Sequence, residues 1–250
     1  MKTKTPLAIA MLLLLVMLGS ALGQKDKKWT DWTKKDADKM LSDSPWAKTQ
    51  TETDSREGFF TPTSQAGVNG ARETSNDASR TTQGATNQST NVVYYVRFFS
   101  ARPIREALIR SMELNNPSMD AETISKMHAF AEGKAQDSIV VTVTFKGGQG
   151  SDQRSTGPVM QAFNSAVVGT LKNKTYLQRS DGKQLFLEEY YPPGKDGFGA
   201  HFVFLRMPEE KLFIDGNTKE IRFYSELSSN IKIDRRFKTA DMMLEGELEY

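Results

Sequence analysis

The segment at residues 189–202, EYYPPGKDGFGAHF, holds the residues of this chain that are best suited to ligand binding. Four aromatic side chains flank its Pro/Gly loop: Tyr190, Tyr191, Phe198 and Phe202. Such rings can stack on a sugar or on a peptide, and loops carry binding residues more often than helices or strands do. The same rings can instead close one end of a β-sheet core. We therefore predict these four residues as ligand or partner contacts, with the core as the alternative interpretation.

A glycine-rich segment at residues 145–163, FKGGQGSDQRSTGPVMQAF, is the best candidate for phosphate binding. It follows a predicted strand and precedes a predicted helix, which is the context of dinucleotide-binding motifs. The spacing does not fit, because the third glycine of a G-x-G-x-x-G that starts at Gly148 would fall on Gln153. No Gly-Lys-Ser/Thr follows to form a Walker-type loop. The segment indicates a surface loop, and we predict no cofactor.

Histidines and carboxylates form no recognisable catalytic or metal-binding pattern. His128 and His201 lack H-x-x-x-H or H-E-x-x-H spacing, and without cysteine a zinc site would need carboxylate ligands. The adjacent Glu188 and Glu189 would point to opposite faces of a strand, whereas a glycosidase needs two carboxylates across one cleft. Catalysis by a serine nucleophile with a histidine base is an alternative, although no G-x-S-x-G elbow marks the serine. We predict no catalytic residue and no metal ligand.

Residues 91–250 have the pattern of one compact α+β domain. A β-branched and aromatic run at 91–100 predicts a strand buried on both faces, and the alternation at 138–145 predicts a strand with one inward face. Helical patterns precede a series of strand patterns, one pair of which is joined by the hairpin signal Asp181-Gly182. The predicted fold is α+β, a mainly antiparallel sheet with two to three helices packed on one face, plus a short N-terminal helix and strand.

The predicted helices of this domain are amphipathic. The first follows Ser100 and carries Glu106 and Arg110 as an outward i,i+4 ion pair. The second starts at Pro117. The third follows Pro158, and its apolar side aligns Val159, Phe163, Val167 and Leu171.

All three tryptophans of the chain lie in its opening stretch: Trp29, Trp32 and Trp46. Thr33 and Asp36 form a short capping box that starts a helix, Trp32 can staple that helix, and Ser44-Pro45 ends it. The indoles form either a clamp that fastens residues 24–53 to the main domain or an exposed binding platform. We favour the clamp, because tryptophan is highly buried on average.

Residues 54–90 are rich in Gly, Ser, Thr, Asn and Gln, and apolar side chains almost vanish after Phe59 and Phe60. Such a segment cannot bury enough apolar surface to offset the entropy lost on ordering. We predict a disordered low-complexity insertion within one domain, so the strands on either side of it can still pair.

Residues 1–23 have the pattern of a secretory signal peptide, with Lys2 and Lys4 before an apolar run and the small residues of Ala21-Leu22-Gly23 at the end. The apolar run is shorter than the ~20 residues of a membrane-spanning helix. An uncleaved membrane anchor is the alternative. After cleavage we predict no membrane span and an exported protein, periplasmic or extracellular.

Charge and cysteine content narrow the class further. Removing residues 1–23 removes two lysines and no acid, so the formal net charge falls from +2 to 0. A neutral chain lacks the basic footprint of nucleic-acid binding. The chain has no cysteine, which excludes a disulfide scaffold and, for an exported protein of this size, favours a bacterial envelope setting.

Three short patches resemble a group of exported bacterial proteins of unknown function. The first is the opening run from Trp29, WTDWTKKDADKMLSDSPWA, whose helix ends in DSPWA. The others are SARPIREAL at residues 100–108 and FKTADMMLEGELEY at residues 237–250. The resemblance implies an exported, single-domain module and supplies no catalytic residues.

The function that these patterns favour is a non-catalytic binding module or an envelope-associated accessory protein with an envelope or extracellular partner. One alternative is a hydrolase of envelope or extracellular polymers, which requires two carboxylates converging in a cleft. Another is a carrier of a small hydrophobic ligand, which requires an enclosed apolar cavity. The binding module requires only a surface patch.

The signal-peptide prediction is tested by intact mass. We expect cleavage after Gly23, because the Ala-Leu-Gly ending suits signal peptidase and a charged run follows it. Mass spectrometry of the exported protein should give the mass of a chain that begins at Gln24. A mass equal to the full 28.0 kDa chain would contradict cleavage.

Overall fold

The computed structural model describes residues 27–54, 90–134, 137–148 and 153–250. The predicted signal peptide and the predicted insertion, apart from its two end residues, lie outside the described residues. The helices are α1 (Lys34–Ser42), α2 (Arg102–Asn115), α3 (Ala121–Glu132), α4 (Gln153–Ser165) and α5 (Val168–Leu171). The strands are β1 (Ala47–Asp54), β2 (Thr90–Phe98), β3 (Ser138–Gly147), β4 (Thr175–Arg179), β5 (Gln184–Phe186), β6 (Glu189–Tyr191), β7 (Ala200–Leu205), β8 (Glu220–Ser228), β9 (Ile231–Lys238), β10 (Met243–Leu244) and β11 (Glu247–Leu248).

The predicted α+β class with mainly antiparallel strands is confirmed. The structure adds that the strands divide between a five-stranded sheet, order β1-β2-β3-β7-β6, and a four-stranded sheet, order β5-β4-β8-β9, with β10 and β11 as a small hairpin. The strands that flank the predicted insertion pair with each other, β1 with β2. The hairpin predicted at Asp181-Gly182 joins β4 to β5, and Gly182 takes the positive φ of 87° that such a turn favours.

The two sheets pack face to face, and aromatic rings fill the space between them. Phe98 of β2 meets Phe237 of β9 with ring centroids 4.8 Å apart, and Phe202 of β7 meets Phe223 of β8 at 5.3 Å. On β3 the predicted inward residues Ile139, Val141 and Val143 are fully buried and Phe145 is half-buried. Their outward neighbours lie on the opposite face, because successive side chains of a strand alternate.

The burial of β2 differs from the prediction along part of its length. Its inward residues from Val92 to Phe98 are buried, as expected, but the outward Val93 and Tyr95 are only half-buried. The outward Arg97 is buried under α1, where its Nε donates to the Leu41 carbonyl at 2.6 Å. Helices therefore cover the outer face of the five-stranded sheet only in part.

At one edge the two sheets are joined through a side-chain amide. Gln50 of β1 donates from Nε2 to the Lys232 carbonyl at 2.6 Å and accepts at Oε1 from the Asp234 backbone N–H at 2.9 Å. Lys232 and Asp234 lie on β9, the edge strand of the other sheet. The amide thus makes the two hydrogen bonds that a neighbouring strand would otherwise make with β9.

The helix boundaries confirm some predictions and correct others. The capping box of Thr33 and Asp36 is present at the start of α1. The second predicted helix, α3, begins at Ala121 with Asp120 as its N-cap, because an Asp side chain can accept from the Thr123 N–H. The predicted start at Pro117 is therefore wrong.

The third predicted helix is wrong at both ends. Pro158 lies inside α4, which begins at Gln153. The apolar alignment breaks because α4 ends at Ser165, which leaves Val167 exposed in the connection to α5.

The predicted outward pair of Glu106 and Arg110 is also wrong. Glu106 is only 8% exposed, and Arg110 instead pairs with Glu113 at 3.1 Å and donates from Nε to the Trp32 carbonyl at 2.8 Å. The cause is that α2 packs against α1 on one side and α3 on another, so most of its surface is covered. A helix covered in this way must bury some of the charges that amphipathic patterning places outside.

The three indoles all contact the rest of the fold. Trp46 is 5% exposed, and its Nε1 donates to the Glu249 carbonyl near the C-terminus at 2.7 Å. Trp32 is half-buried at the start of α1. Trp29 packs its ring edge-on against His128 of α3, with centroids 4.6 Å apart, and is half-buried. This placement agrees with a clamp and gives Trp46 the deepest position.

Replacement of Trp46 tests the clamp. We expect Trp46→Ala to lower the free energy of unfolding by about 3–5 kcal/mol, because truncation of a buried tryptophan leaves a cavity. Trp29→Ala is the matched control and should cost about 1 kcal/mol or less, since its ring is only partly buried near the end of the segment. Denaturant unfolding followed by far-UV circular dichroism measures both. Equal midpoints for wild type and Trp46→Ala would show that this indole does not anchor the segment.

Candidate functional site

An open pocket of about 420 Å³ lies on the outer face of the five-stranded sheet, where the end of β2, the end of α3 and the start of β3 meet. Its apolar lining includes Phe99, Phe130 and Val140. Its charged lining includes Arg105, Lys134 and Asp137. Small-molecule sites occupy roughly 300–1,000 Å³ and combine apolar walls with a few polar groups, so this pocket has the size and chemistry of a binding site.

The local sequence explains why apolar side chains reach this surface. Val140 points outward because its neighbours Ile139 and Val141 point into the core. Phe99 directly follows the inward Phe98 at the end of β2. Phe130 lies in the last turn of α3 and is 47% exposed. Its partner is Phe99, whose ring centroid lies 6.0 Å away.

The aromatic surface continues from the pocket along the sheet. Phe99 also contacts Phe198 and His201, with centroids 5.3 Å and 5.5 Å away. The backbone between Phe198 and His201 requires a glycine at position 199. Its φ is +89°, and an added Cβ would lie 2.3 Å from the Val143 carbonyl oxygen. Burial lowers the pKa of His201, which favours the neutral ring that packs on Phe99.

The four aromatic residues predicted from sequence are divided between the two faces of this sheet. Tyr190 and Phe202 point inward and are buried, with ring centroids 5.1 Å apart, and the Tyr190 hydroxyl donates to the Phe163 carbonyl at 2.6 Å. Tyr191 points outward, opposite His201, and Phe198 lies in the aromatic surface. The alternative interpretation therefore describes Tyr190 and Phe202, and the candidate contacts reduce to Tyr191 and Phe198.

Sequence reasoning missed the residues that form the pocket itself. The sequence pattern places Phe99 and Val140 on strands and gives no sign of a site there, and Arg105 belongs to no recognisable motif. One sequence feature does point to the site. The apolar run of β2 extends by one residue, Phe99, beyond Phe98, the last residue of β2 that pairs with β3. The remaining signals depend on the packing of α3 against the sheet, which the sequence pattern does not encode.

Arg105 holds the wall of the pocket in place. Its Nε donates to the Ala131 carbonyl at 3.2 Å, and its two terminal nitrogens donate to the carbonyls of Ser100 and Gly133. Two of these carbonyls belong to the end of α3, where a positive charge is favourable for the helix dipole. The guanidinium thus connects the end of β2 to the end of α3, and both of these segments line the pocket.

The next residue, Glu106, is a buried carboxyl close to several charges. Burial raises its pKa to about 7, Arg102 opposes this rise, and Glu132 and Glu245 add to it. Its nearest cation is Arg102, whose Nε lies 3.7 Å from the carboxylate. Arg102 also pairs with the exposed Glu245 at 2.7 Å, so its charge is shared between two acids.

A second pocket, of about 370 Å³, lies on the outer face of the four-stranded sheet and is lined mainly by polar residues. Its arginines already have carboxylate partners: Arg222 with Asp234 at 2.6 Å, Arg236 with Glu220 at 3.0 Å, and Arg179 with Asp181 at 3.2 Å. These pairs neutralise its positive charge, so the first pocket is the stronger candidate.

Comparisons with family models, curated proteins and solved structures found no match to this chain. Within residues 27–54, 90–134, 137–148 and 153–250, no cluster of three or more His, Asp or Glu residues could hold a metal ion. In the same part of the chain, no helix is long and apolar enough to span a membrane.

The raised pKa of Glu106 predicts a pH-dependent stability. Its folded pKa of about 7 lies above the ordinary 4.5, so this group lowers the free energy of unfolding as pH rises between those values. We expect Glu106→Gln to be more stable than wild type by about 1–3 kcal/mol near pH 8, with the difference vanishing near pH 4. Urea unfolding across that pH range measures it. A constant difference at every pH would contradict the prediction.

Asp36 provides a control of opposite sign. Hydrogen bonds from the Thr33 backbone and hydroxyl hold the pKa of Asp36 at about 2, below its ordinary 3.8. Asp36 therefore stabilises the folded state fully above pH 3.8, and this stabilisation is lost as the pH falls toward about 2. Asp36→Asn should be less stable than wild type at neutral pH and should approach it in acid.

Proposed function

We propose that this chain is a non-catalytic binding module of the bacterial envelope, and that its pocket receives an apolar group of the ligand. The observation that carries the proposal is the open pocket walled by Phe99, Phe130 and Val140. Phe130 is 47% exposed at its mouth. Exposed apolar surface on a folded domain commonly marks a binding site when it forms a concave, contiguous patch.

The composition of the pocket supports binding over hydrolysis. A carboxylate-dependent hydrolase of polymers holds two carboxylates facing each other across the bond that is broken. The lining of this pocket contributes one carboxylate, Asp137, and the buried Glu106 nearby is not part of the lining. The neighbouring cations Arg105 and Lys134 are suited to holding a ligand by charge.

The packing of the core supports a surface site over an enclosed carrier cavity. Between the two sheets, Phe98, Phe202, Phe223 and Phe237 are fully buried and contact one another in pairs. Their rings fill the space in which a carrier would hold its ligand. The pocket, by contrast, opens to solvent, which suits a ligand that inserts one group and leaves the rest outside.

The envelope location is supported by the signal-peptide pattern of residues 1–23 and by the absence of cysteine from the chain. The neutral charge expected after cleavage supports a partner that is neither nucleic acid nor a strongly anionic surface. The half-exposed aromatic surface that leads from Phe99 to Tyr191 offers a path for the part of the ligand outside the pocket.

A neutral fluorescent probe tests the pocket. We expect N-phenyl-1-naphthylamine to bind saturably to the wild-type protein, with enhanced emission, because the pocket excludes water from an apolar ring. Phe130→Asp should weaken binding by at least about tenfold, since it places a charge in the apolar wall. Fluorescence titration at fixed protein concentration provides the dissociation constants.

Phe186→Asp is the matched control. Phe186 is 43% exposed on the outer face of the other sheet, so this variant makes the same change away from the pocket. It should bind the probe as wild type does. Equal weakening in both variants, or no saturable binding in wild type, would contradict the proposed site.

A further inference from the structure

The charged part of the pocket contains a buried cation without an acidic partner. Arg105 is 4% exposed, and its three hydrogen bonds all go to backbone carbonyls. Among the described residues, no carboxylate forms an ion pair with it, whereas on the same helix Arg102 pairs with two acids and Arg110 with one. Burying a charge is costly unless it is paired, so a buried guanidinium bordering a pocket is suited to an anion.

The donor count of the guanidinium leaves capacity for a ligand. An arginine has five N–H donors in a planar fork that matches a carboxylate. Three of them are used by the carbonyls of Ala131, Ser100 and Gly133, and two remain. Arg105 is among the residues that line the pocket, so its guanidinium lies beside the space in which a ligand would bind.

The remaining charges of the lining favour a single negative charge. Arg105 and Lys134 are positive and Asp137 is negative, which leaves one positive charge in excess within the lining. Lys134 also lies 3.9 Å from Glu247, but both side chains are exposed and solvent screens their pairing, so the buried Arg105 is the cation that matters. A doubly charged group such as phosphate would meet repulsion from Asp137. Glu106 and Glu249 lie beyond ion-pair distance of Arg105, but their negative charges reduce the positive potential around its guanidinium. The apolar walls, Phe99 and Phe130, lie beside these charges.

We infer that the pocket recognises a carboxylate attached directly to an apolar group, with the Arg105 guanidinium pairing the carboxylate and the phenylalanine rings contacting the apolar group. This inference rests on the proposed function, because it names the ligand class of the same pocket. Two sources present this chemistry: a free aromatic or aliphatic acid, and the last residue of a polypeptide with an apolar side chain. Arginine stays charged at neutral pH, so the site is ready to pair throughout the physiological range.

Matched acids and amides test the inference on the wild-type protein. We expect 3-phenylpropionate to bind at least about tenfold more tightly than 3-phenylpropanamide, which has the same shape without the charge. Isothermal titration calorimetry measures both. Equal affinities of the acid and the amide would contradict recognition of a carboxylate, but they would not contradict the proposed apolar binding site. Failure of both compounds and of the neutral naphthylamine probe to bind would overturn the inference and the proposed function together.

Variants assign the effect to Arg105. Arg105→Gln should abolish the preference for the acid. The ratio of acid to amide affinity is the readout, because the loss of the three carbonyl hydrogen bonds loosens the pocket wall for both compounds alike. Arg97→Gln is the matched control. Arg97 is also buried and forms no ion pair with a carboxylate in the described part of the chain, but it lies under α1, away from the pocket. An unchanged preference in Arg105→Gln would overturn the assignment. If Arg105→Gln does not fold, Lys134→Gln provides the test, because it removes an exposed positive charge from the same lining. It should reduce the preference for the acid over the amide about threefold or more.

A peptide pair separates the two sources. A five-alanine peptide ending in phenylalanine is compared as its free acid and its C-terminal amide. Binding of the free-acid peptide at least as tight as that of 3-phenylpropionate identifies a polypeptide terminus as the source. Binding of 3-phenylpropionate alone identifies a free acid, and both results support the shared chemistry.

Discussion

The aromatic contact between the two sheets determines the outer surface of this protein. Phe98 against Phe237 and Phe202 against Phe223 commit one face of the five-stranded sheet to the core. Because side chains alternate along a strand, that commitment sends every second residue to the other face. Phe99, Val140 and His201 belong to that outward set, so the sheet side of the site is a consequence of how the core is closed.

Local patterns in the sequence predicted local structure well. The capping box at Thr33, the hairpin at Asp181-Gly182 and the inward set of β3 each depend on residues within a few positions of one another, and each is confirmed. The same alternation explains why the predicted aromatic group was divided. Tyr190 and Tyr191 are neighbours in sequence and therefore lie on opposite faces of β6.

The features that the sequence could not predict depend on contacts between distant segments. Glu106 is buried because α2 is covered by α1 and α3, and its pKa depends on Glu132 and Glu245, far away in sequence. Phe130 is exposed because the end of α3 extends beside the sheet, where only Phe99 meets its ring among the described aromatic contacts. Helical periodicity identifies an apolar side, but it does not state which part of that side will be covered.

The Gln50 bridge has a consequence for how this molecule behaves among its own copies. An edge strand normally presents unpaired N–H and C=O groups, on which another chain can build intermolecular β-structure. On β9 the Lys232 carbonyl and the Asp234 N–H are already occupied by the Gln50 amide. A foreign strand must displace that amide before it can add to β9. One side chain therefore protects this edge against aggregation while it joins the two sheets.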